Sequence, residues 1–362
     1  MEQTIKSYKC PCCGAPLAFD GKTQNLHCAS CGNDFSTETL EQLSGAEQTA
    51  KSSSNYNWAD YTPREFSVAE AESLAGYTCP SCGASVTGDS TLAATICPYC
   101  GNGVIVKGKF EGTLRPDLVL PFKVDKKSAV AAFEEDFKKR PFLPDAFKDK
   151  KKLQEMAGMY IPYWLFDCDC NADISYNAHR MTTWSDADYN YTKTDHFKLI
   201  RSGVLKFRRV PQDALKKADD NYTEALEPFD LNEAKEYNSA YLSGYLADTY
   251  DVSAKECETR ANERIKKSTE EAFMDTTNGF LSVVPEHTHI AFKDGKTRYA
   301  FLPVWMLNFK YEGENYKFAV NGQTGKVVGT YPVDKSKKWK YFAKVAGVCY
   351  VIAAIIAYFF LQ

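Results

Sequence analysis

Four C-x-x-C pairs carry the clearest chemistry in this chain: Cys10/Cys13, Cys28/Cys31, Cys79/Cys82 and Cys97/Cys100. Residues 14–27 separate the first two pairs and residues 83–96 the last two, fourteen in each case. The surroundings repeat as well. Cys10-Pro11-Cys12-Cys13-Gly14-Ala15 matches Cys79-Pro80-Ser81-Cys82-Gly83-Ala84, and Cys31-Gly32-Asn33 matches Cys100-Gly101-Asn102. Two residues between thiolates let one tight turn aim both at a single ion. A following glycine tolerates the positive φ that turns backbone N–H groups toward the sulfurs. The interval suits a short hairpin that returns the second pair to the first. Each half is thus expected to close a tetrahedral four-cysteine site with no position open to water or substrate. The expected ions are two Zn²⁺, with iron the alternative for a tetrahedral sulfur set. Cys12 stands where Ser81 stands in the second copy, which marks it as a bystander.

The elements that must hold these sites follow from the rest of the chain. It has 362 residues, 14% of them aromatic, and a net charge of −3. That length suggests two or three domains with a real core. Beyond the eight ligands remain Cys12, Cys168, Cys170, Cys257 and Cys349. An odd remainder fits a reducing compartment. The start, Met1-Glu2-Gln3-Thr4-Ile5-Lys6, has no apolar stretch of the signal-peptide kind.

Val345 to Leu361 is a run without a charge. As a helix it would be about 25 Å long, close to the hydrocarbon thickness of about 30 Å. Tyr341, Phe342, Tyr358, Phe359 and Phe360 flank it as interfacial aromatics do. Lys335, Lys337, Lys338, Lys340 and Lys344 crowd its N-terminal side. The expectation is one transmembrane helix at 345–361 behind a basic juxtamembrane segment at 335–344. The positive-inside bias then keeps the preceding chain in the cytosol, as in a tail-anchored protein of the cell membrane.

The remaining organisation reads as follows: ribbon 1 over 1–36, a polar linker over 37–76, ribbon 2 over 77–108, and an α+β domain with a mainly antiparallel sheet over 109–334. Within that domain Leu118–Phe122 reads as a strand. Lys126–Arg140 reads as a helix, with Val130, Phe133 and Phe137 on one face. Tyr160–Tyr176, Ser282–Phe292 and Tyr299–Phe309 read as strands. His196–Arg209 reads as another, with Phe197, Leu199, Val204, Leu205 and Phe207 inward. Leu231–Ala247 and Ser253–Phe273 read as helices, and Tyr316–Thr330 as a hairpin. The segments Tyr160-Ile161-Pro162-Tyr163-Trp164-Leu165-Phe166 and Phe301-Leu302-Pro303-Val304-Trp305-Met306-Leu307 form a weaker repeat. Their prolines suggest strand starts or edges.

Other groupings have plainer readings. On a strand, Cys168 and Cys170 share one face and Asp167 and Asp169 the other, which divides the ligands of a third metal site with Asp173 and His179. The cysteines are expected in the core and the aspartates in solvent. His287 and His289 read as a surface pair. Gly295-Lys296-Thr297 lacks the glycine a phosphate loop needs, since Ile290 holds that position. No nucleophile-plus-base signature is present, so the chain is not expected to be an enzyme. Residues 1–108 hold six basic and eleven acidic residues, a net −5, the wrong sign for a phosphate-binding module. The apolar residues Leu17, Phe19, Phe35, Val86 and Tyr99 are expected to remain free on the ribbons for docking to a protein partner.

The knuckles CPCCG…CASCGNDF and CPSCGAS…CPYCGN resemble the zinc ribbon of the TFIIB type. YIPYWLFD, ALEPFDL, YLSGYLADTYDV, FLPVWMLNF and YKFAVNGQTGKVVG extend the resemblance over nearly the whole chain. They are similar to a bacterial family of zinc-ribbon-containing membrane proteins, often labelled primosomal protein N′-like. Some relatives resemble membrane partners of phage-shock-protein-A and SPFH-domain systems. The resemblance implies an adaptor that recruits a protein partner to the cytosolic membrane face in envelope stress. The alternative is a membrane-tethered nucleic-acid-binding protein of replication or transcription.

Overall fold

Alternating apolar side chains, read as several strands of ordinary length, become three very long ones. The computed structural model describes residues 10–11, 15–21, 23–37, 39–40, 56, 58–91, 96–102, 106–108, 114–216 and 220–360. In chain order the strands are β1 (Ala18–Asp20), β2 (Asn25–His27), β3 (Asp34–Phe35), β4 (Leu74–Thr78), β5 (Ser85–Asp89), β6 (Val106–Gly108), β7 (Leu118–Val119), β8 (Ala157–Ser185), β9 (Asn190–Asp213), β10 (Lys235–Glu236), β11 (Leu246–Asp248), β12 (Ser282–Tyr311), β13 (Glu314–Asn321) and β14 (Val327–Gly329). The helices are α1 (Val68–Glu72), α2 (Lys126–Lys138), α3 (Lys150–Leu153), α4 (Asp220–Ala225), α5 (Ala254–Met274) and α6 (Lys335–Phe360). The protein is mixed α+β, and most strand pairs are antiparallel. Two compact units emerge. One comprises Met1–Asp60, Phe166–Val210 and Lys255–Thr297; the other comprises Tyr61–Leu165, Pro211–Ala254 and Arg298–Gln362.

In the first unit β1, β2 and β3 form a small antiparallel sheet, with Phe19 opposite Leu26 and Leu26 opposite Phe35. α5 buries Cys257, Ala261, Ile265, Thr269 and Phe273, the stripe that a 3.6-residue period requires. Trp58 packs its ring 4.9 Å from that of Phe166 and donates its indole N–H to Asn262 Oδ1 at 2.9 Å. Gly295 lies inside β12, not in a phosphate loop. A Cβ there would come within 2.6 Å of the Tyr56 ring, so only glycine lets that aromatic close over the strand. β9 pairs with β8. The five apolar β9 residues expected inside are not buried; Val204 is 58% exposed and Phe197 36%. Alternation marks two faces of a strand but does not say that anything covers either one.

In the second unit β12 is buried on both faces. Leu302, Val304 and Met306 join one core with Leu118, Leu120, Met159, Ile161 and Tyr163. Trp305, Leu307 and Phe309 join the other, with Phe133 and Phe137 of α2, Phe147 and Phe318. The period of two thus feeds both layers from one strand. Asp125 caps α2 by accepting the Ser128 N–H at 2.8 Å. Pro162 and Pro303 lie inside the long strands rather than at their starts. Pro303 falls where hydrogen-bonding partners change: it follows the β7 pairing at Ala300–Phe301 and precedes the β13 pairing that begins at Val304. A missing N–H is least costly there.

Residues 231–247 are not helical. Asp230 and Asn238 each accept a backbone N–H two residues on, from Asn232 and Ala240, and so hold short 3₁₀ turns. Gly244 then turns at φ +82° and leads into β11. Side-chain-to-backbone bonds of this kind compete with helix, and composition alone did not reveal them.

Candidate metal centres

Both knuckles of the second copy are built alike. Cys79 N–H donates to Ala84 O at 2.8 Å and Gly83 N–H to Cys79 O at 2.9 Å. Cys97 N–H donates to Asn102 O at 2.8 Å and Gly101 N–H to Cys97 O at 2.9 Å. Gly83 and Gly101 take φ of +71° and +67°, the left-handed geometry that closes each turn. The sulfurs of Cys79, Cys82, Cys97 and Cys100 all lie within 4.8 Å of one another. The Cys79–Cys100 and Cys82–Cys97 separations are both 3.7 Å. A tetrahedron with metal–sulfur bonds of about 2.3 Å has edges of about 3.8 Å. The donor set therefore fits a metal ion in size and in chemistry.

The protons of this set are unevenly held. Burial works to raise the Cys79 thiol, but the N–H groups of Cys82 and Ser81 outweigh it and bring the pKa down to about 7. Burial pushes Cys97 up to about 12 and raises Cys82. A bound cation would draw all four to the thiolate form.

The first copy repeats the construction in the other unit. Cys10 N–H donates to Ala15 O at 2.7 Å, Cys28 N–H to Asn33 O at 2.9 Å and Gly32 N–H, at φ +72°, to Cys28 O at 2.8 Å. Cys10, Cys28 and Cys31 form one metal-ligating group, with Cys10 and Cys31 sulfurs 3.5 Å apart. The fourth expected ligand, Cys13, lies outside the described residues, as does Cys12. Asn33 donates its amide to Cys31 Sγ at 3.3 Å, an outer contact that orients the ligand. Sequence reasoning assigned Asn33 no role, although its recurrence in both Cys-Gly-Asn triplets was the signal.

The surroundings of the two copies differ. Ribbon 2 is woven into the large sheet: β4 pairs β5 and β6, and β5 pairs β11 through Val86↔Asp248, Thr87↔Ala247 and Gly88↔Leu246. Tyr77, Val86 and Tyr99 belong to the same core as Leu118, Met159 and Leu302. Tyr99 hydroxyl bonds to Asp248, and Asn308 donates to Pro98 O at 2.5 Å. Val86 and Tyr99, expected to be free for docking, are thus buried, because the sheet claims the knuckle's apolar side. On ribbon 1, Phe19 is 57% exposed and Leu17 and Phe35 are half-buried.

No third metal group forms among the described residues. Cys168 and Cys170 are buried as expected, and Cys170 Sγ lies 3.5 Å from Thr269 Oγ1. Asp169 pairs with Arg208 at 2.6 Å. Asp167 is buried rather than in solvent, because its carboxylate accepts the Arg209 backbone N–H at 2.5 Å.

α6 is long and apolar enough to cross a membrane: within Lys335–Tyr358 an 18-residue stretch has a mean hydropathy of 1.8, and none of that stretch is buried in protein. Lys335, Lys338, Lys340 and Lys344 are exposed. Lys337 instead fastens the helix to the loop after α2, with Nζ 2.6 Å from Asp145 Oδ1 and 2.9 Å from Leu143 O. The Tyr341 ring packs 5.4 Å from Phe142, and Asp334 N–H donates to Phe142 O at 2.8 Å.

The chain is 34% identical over 353 residues to the uncharacterized protein YdjG of Bacillus subtilis (strain 168), and the match covers 98% of each chain. No family model matches it, and neither does any solved structure.

Proposed function

We propose that this chain, which belongs to one family with YdjG of Bacillus subtilis, is a membrane-anchored, non-enzymatic adaptor that presents a zinc ribbon to a protein partner. The observation that carries the reading is α6 from Val345 onward, uncharged on every side and exposed along its described length. Such a surface needs lipid. The lysines at its start favour a cytosolic body through the positive-inside bias. Four thiolates at tetrahedral spacing favour Zn²⁺, and a closed shell leaves no position for catalysis. Ribbon 2 serves the fold. Ribbon 1, with Phe19 open and Leu17 and Phe35 beside it, serves recognition. The net −5 of residues 1–108 favours a protein over a polyanion.

The test places a photo-crosslinking side chain at position 19 of the full-length protein in native membranes. A dominant protein adduct, lost when Cys28→Ser removes the ribbon 1 metal, is the expected result. A nucleic-acid adduct, or a protein adduct that survives Cys28→Ser, would overturn the reading. Truncation after Asp334 should free the chain from membranes; a truncated form that still resists carbonate extraction would overturn the anchor.

A further inference from the structure

The basic residues of this chain are unevenly spread. Residues 142–152 and 335–344 hold nine basic and two acidic residues, a net +7 in a chain whose total is −3. The two segments are far apart in sequence, and the second unit brings them together. Lys337 of α6 and Lys148 share one carboxylate oxygen, Asp145 Oδ1, at 2.6 and 3.3 Å. Close by, the Tyr341 and Phe142 rings lie 5.4 Å apart.

The segment after α2 is built to hold its charges outward. Leu143, Phe147 and Leu153 are buried in the core with Phe133 and Phe137 of α2. Asp145–Lys148 forms a 3₁₀ turn, and Asp149 caps α3 by accepting the Lys151 N–H at 2.9 Å. Lys148, Lys150, Lys151 and Lys152, set among these anchors, are exposed. Lys150 lies 3.9 Å from Glu134 and Lys152 3.0 Å from Glu155. Exposed pairs of this kind are worth little in water, so the ammonium groups stay available to other anions.

Their height along α6 follows from the same contacts. Tyr341 precedes Val345, where the uncharged run begins, by four residues, about 6 Å of helix. The headgroup layer is about 5–8 Å deep on each side of the hydrocarbon. With α6 across a bilayer, Phe142 therefore stands at headgroup level. Lys337, and with it Asp145 and Lys148, stands about 12 Å from the hydrocarbon boundary, within a Debye length of about 8 Å from the headgroup phosphates. Trp339 and Phe342 are exposed on the same turns with ring centroids 5.6 Å apart, aromatics of the sort interfaces favour.

We propose that the segment Phe142–Lys152 lies against the bilayer that α6 enters, where Lys148, Lys150 and Lys151, together with the α6 lysines, bind the headgroup phosphates of anionic phospholipids. This contact presupposes that α6 is a membrane anchor. It adds a second attachment, made by the body of the second unit, that selects lipids by charge. Headgroups are the fitting occupant because the span itself holds these lysines beside them, and clustered lysines next to a span attract anionic lipid.

The test uses the full-length protein in nanodiscs of phosphatidylcholine, alone or mixed with phosphatidylglycerol. Acetylation by a water-soluble ester is followed at each lysine by mass spectrometry. Lys148, Lys150 and Lys151 should react at least threefold more slowly in the mixed discs, and high salt should abolish the difference. Inorganic phosphate or a polyglutamate peptide added to the phosphatidylcholine discs should leave the rates unchanged. After detergent extraction from the mixed discs, the triple variant Lys148→Gln, Lys150→Gln, Lys151→Gln should retain at least twofold less phosphatidylglycerol relative to phosphatidylcholine than wild type. Equal rates in the two discs, or an unaltered lipid ratio in the variant, would overturn the contact and leave the anchor standing. Equal slowing by inorganic phosphate would make the segment a free-anion site, and equal slowing by polyglutamate would assign it to an acidic protein; either result would overturn the proposal. A chain that enters neither disc would overturn the anchor and this contact with it.

Discussion

Cys97→Ser removes one ligand from ribbon 2, and the consequence should extend well beyond the metal. Without the ion the Cys97–Cys100 turn loses its closure, and Tyr77, Val86 and Tyr99 lose the frame that holds them in the core. Each tyrosine buries about 150–250 Å², worth about 4–6 kcal/mol at about 25 cal/mol per Å². The two together are worth on the order of 10 kcal/mol, comparable to the roughly 5–15 kcal/mol that stabilises a typical domain. The directly exposed strand is β11, whose Leu246, Ala247 and Asp248 face β5. Hydrogen exchange read by mass spectrometry over residues 246–248 should accelerate at least a hundredfold, equivalent to about 2.7 kcal/mol. Cys28→Ser, in the other unit, should lose one ion and leave the β11 amides at their wild-type rate. If Cys97→Ser loses its ion while β11 exchange stays within threefold of wild type, ribbon 2 is an appendage and the reasoning fails.

Elemental analysis of the full chain should give two zinc ions, and Cys12→Ser should leave that count unchanged; one ion, or an iron signature, would refute the assignment. Asp136→Asn should cost about 1–2 kcal/mol at neutral pH, because the carboxylate accepts from Arg140 at 2.9 Å and from Tyr331. Burial acts to raise the Asp136 pKa, but Arg140 and Tyr331 hold it below the usual carboxylate range. Its contribution is therefore complete above the unfolded value of about 4 and is lost as pH falls through the lowered folded value. Melting curves of both proteins from neutral to acid pH should converge; a constant gap would contradict this.

What the sequence made legible was local. The cysteine spacing and its glycines encode turns closed by hydrogen bonds of a few residues' reach; all four cysteines of the second copy, and Cys10, Cys28 and Cys31 of the first, come together where expected. The spacing of Val130, Phe133 and Phe137 located α2, and the run after Lys344 located the membrane-compatible helix. What was not legible was pairing over distance. Nothing in Ser85–Asp89 names Leu246–Asp248 as its partner, so ribbon 2 read as a module when it is part of a sheet. The same limit misread Leu231–Ala247, where two Asx contacts decide the backbone, and took as core a face of β9 that is only partly covered.

The root of α6 has a mechanical consequence. A span relieves mismatch with a thinner or thicker bilayer by tilting. Here the first turns are bolted to Phe142, Leu143 and Asp145, and Leu143 is itself wedged into the core beneath α2. These contacts resist a swing of the helix on its own. In a bilayer, a tilt of α6 would pull on Phe142, Leu143 and Asp145 and so act as a torque on the body of the second unit rather than be absorbed at a free hinge.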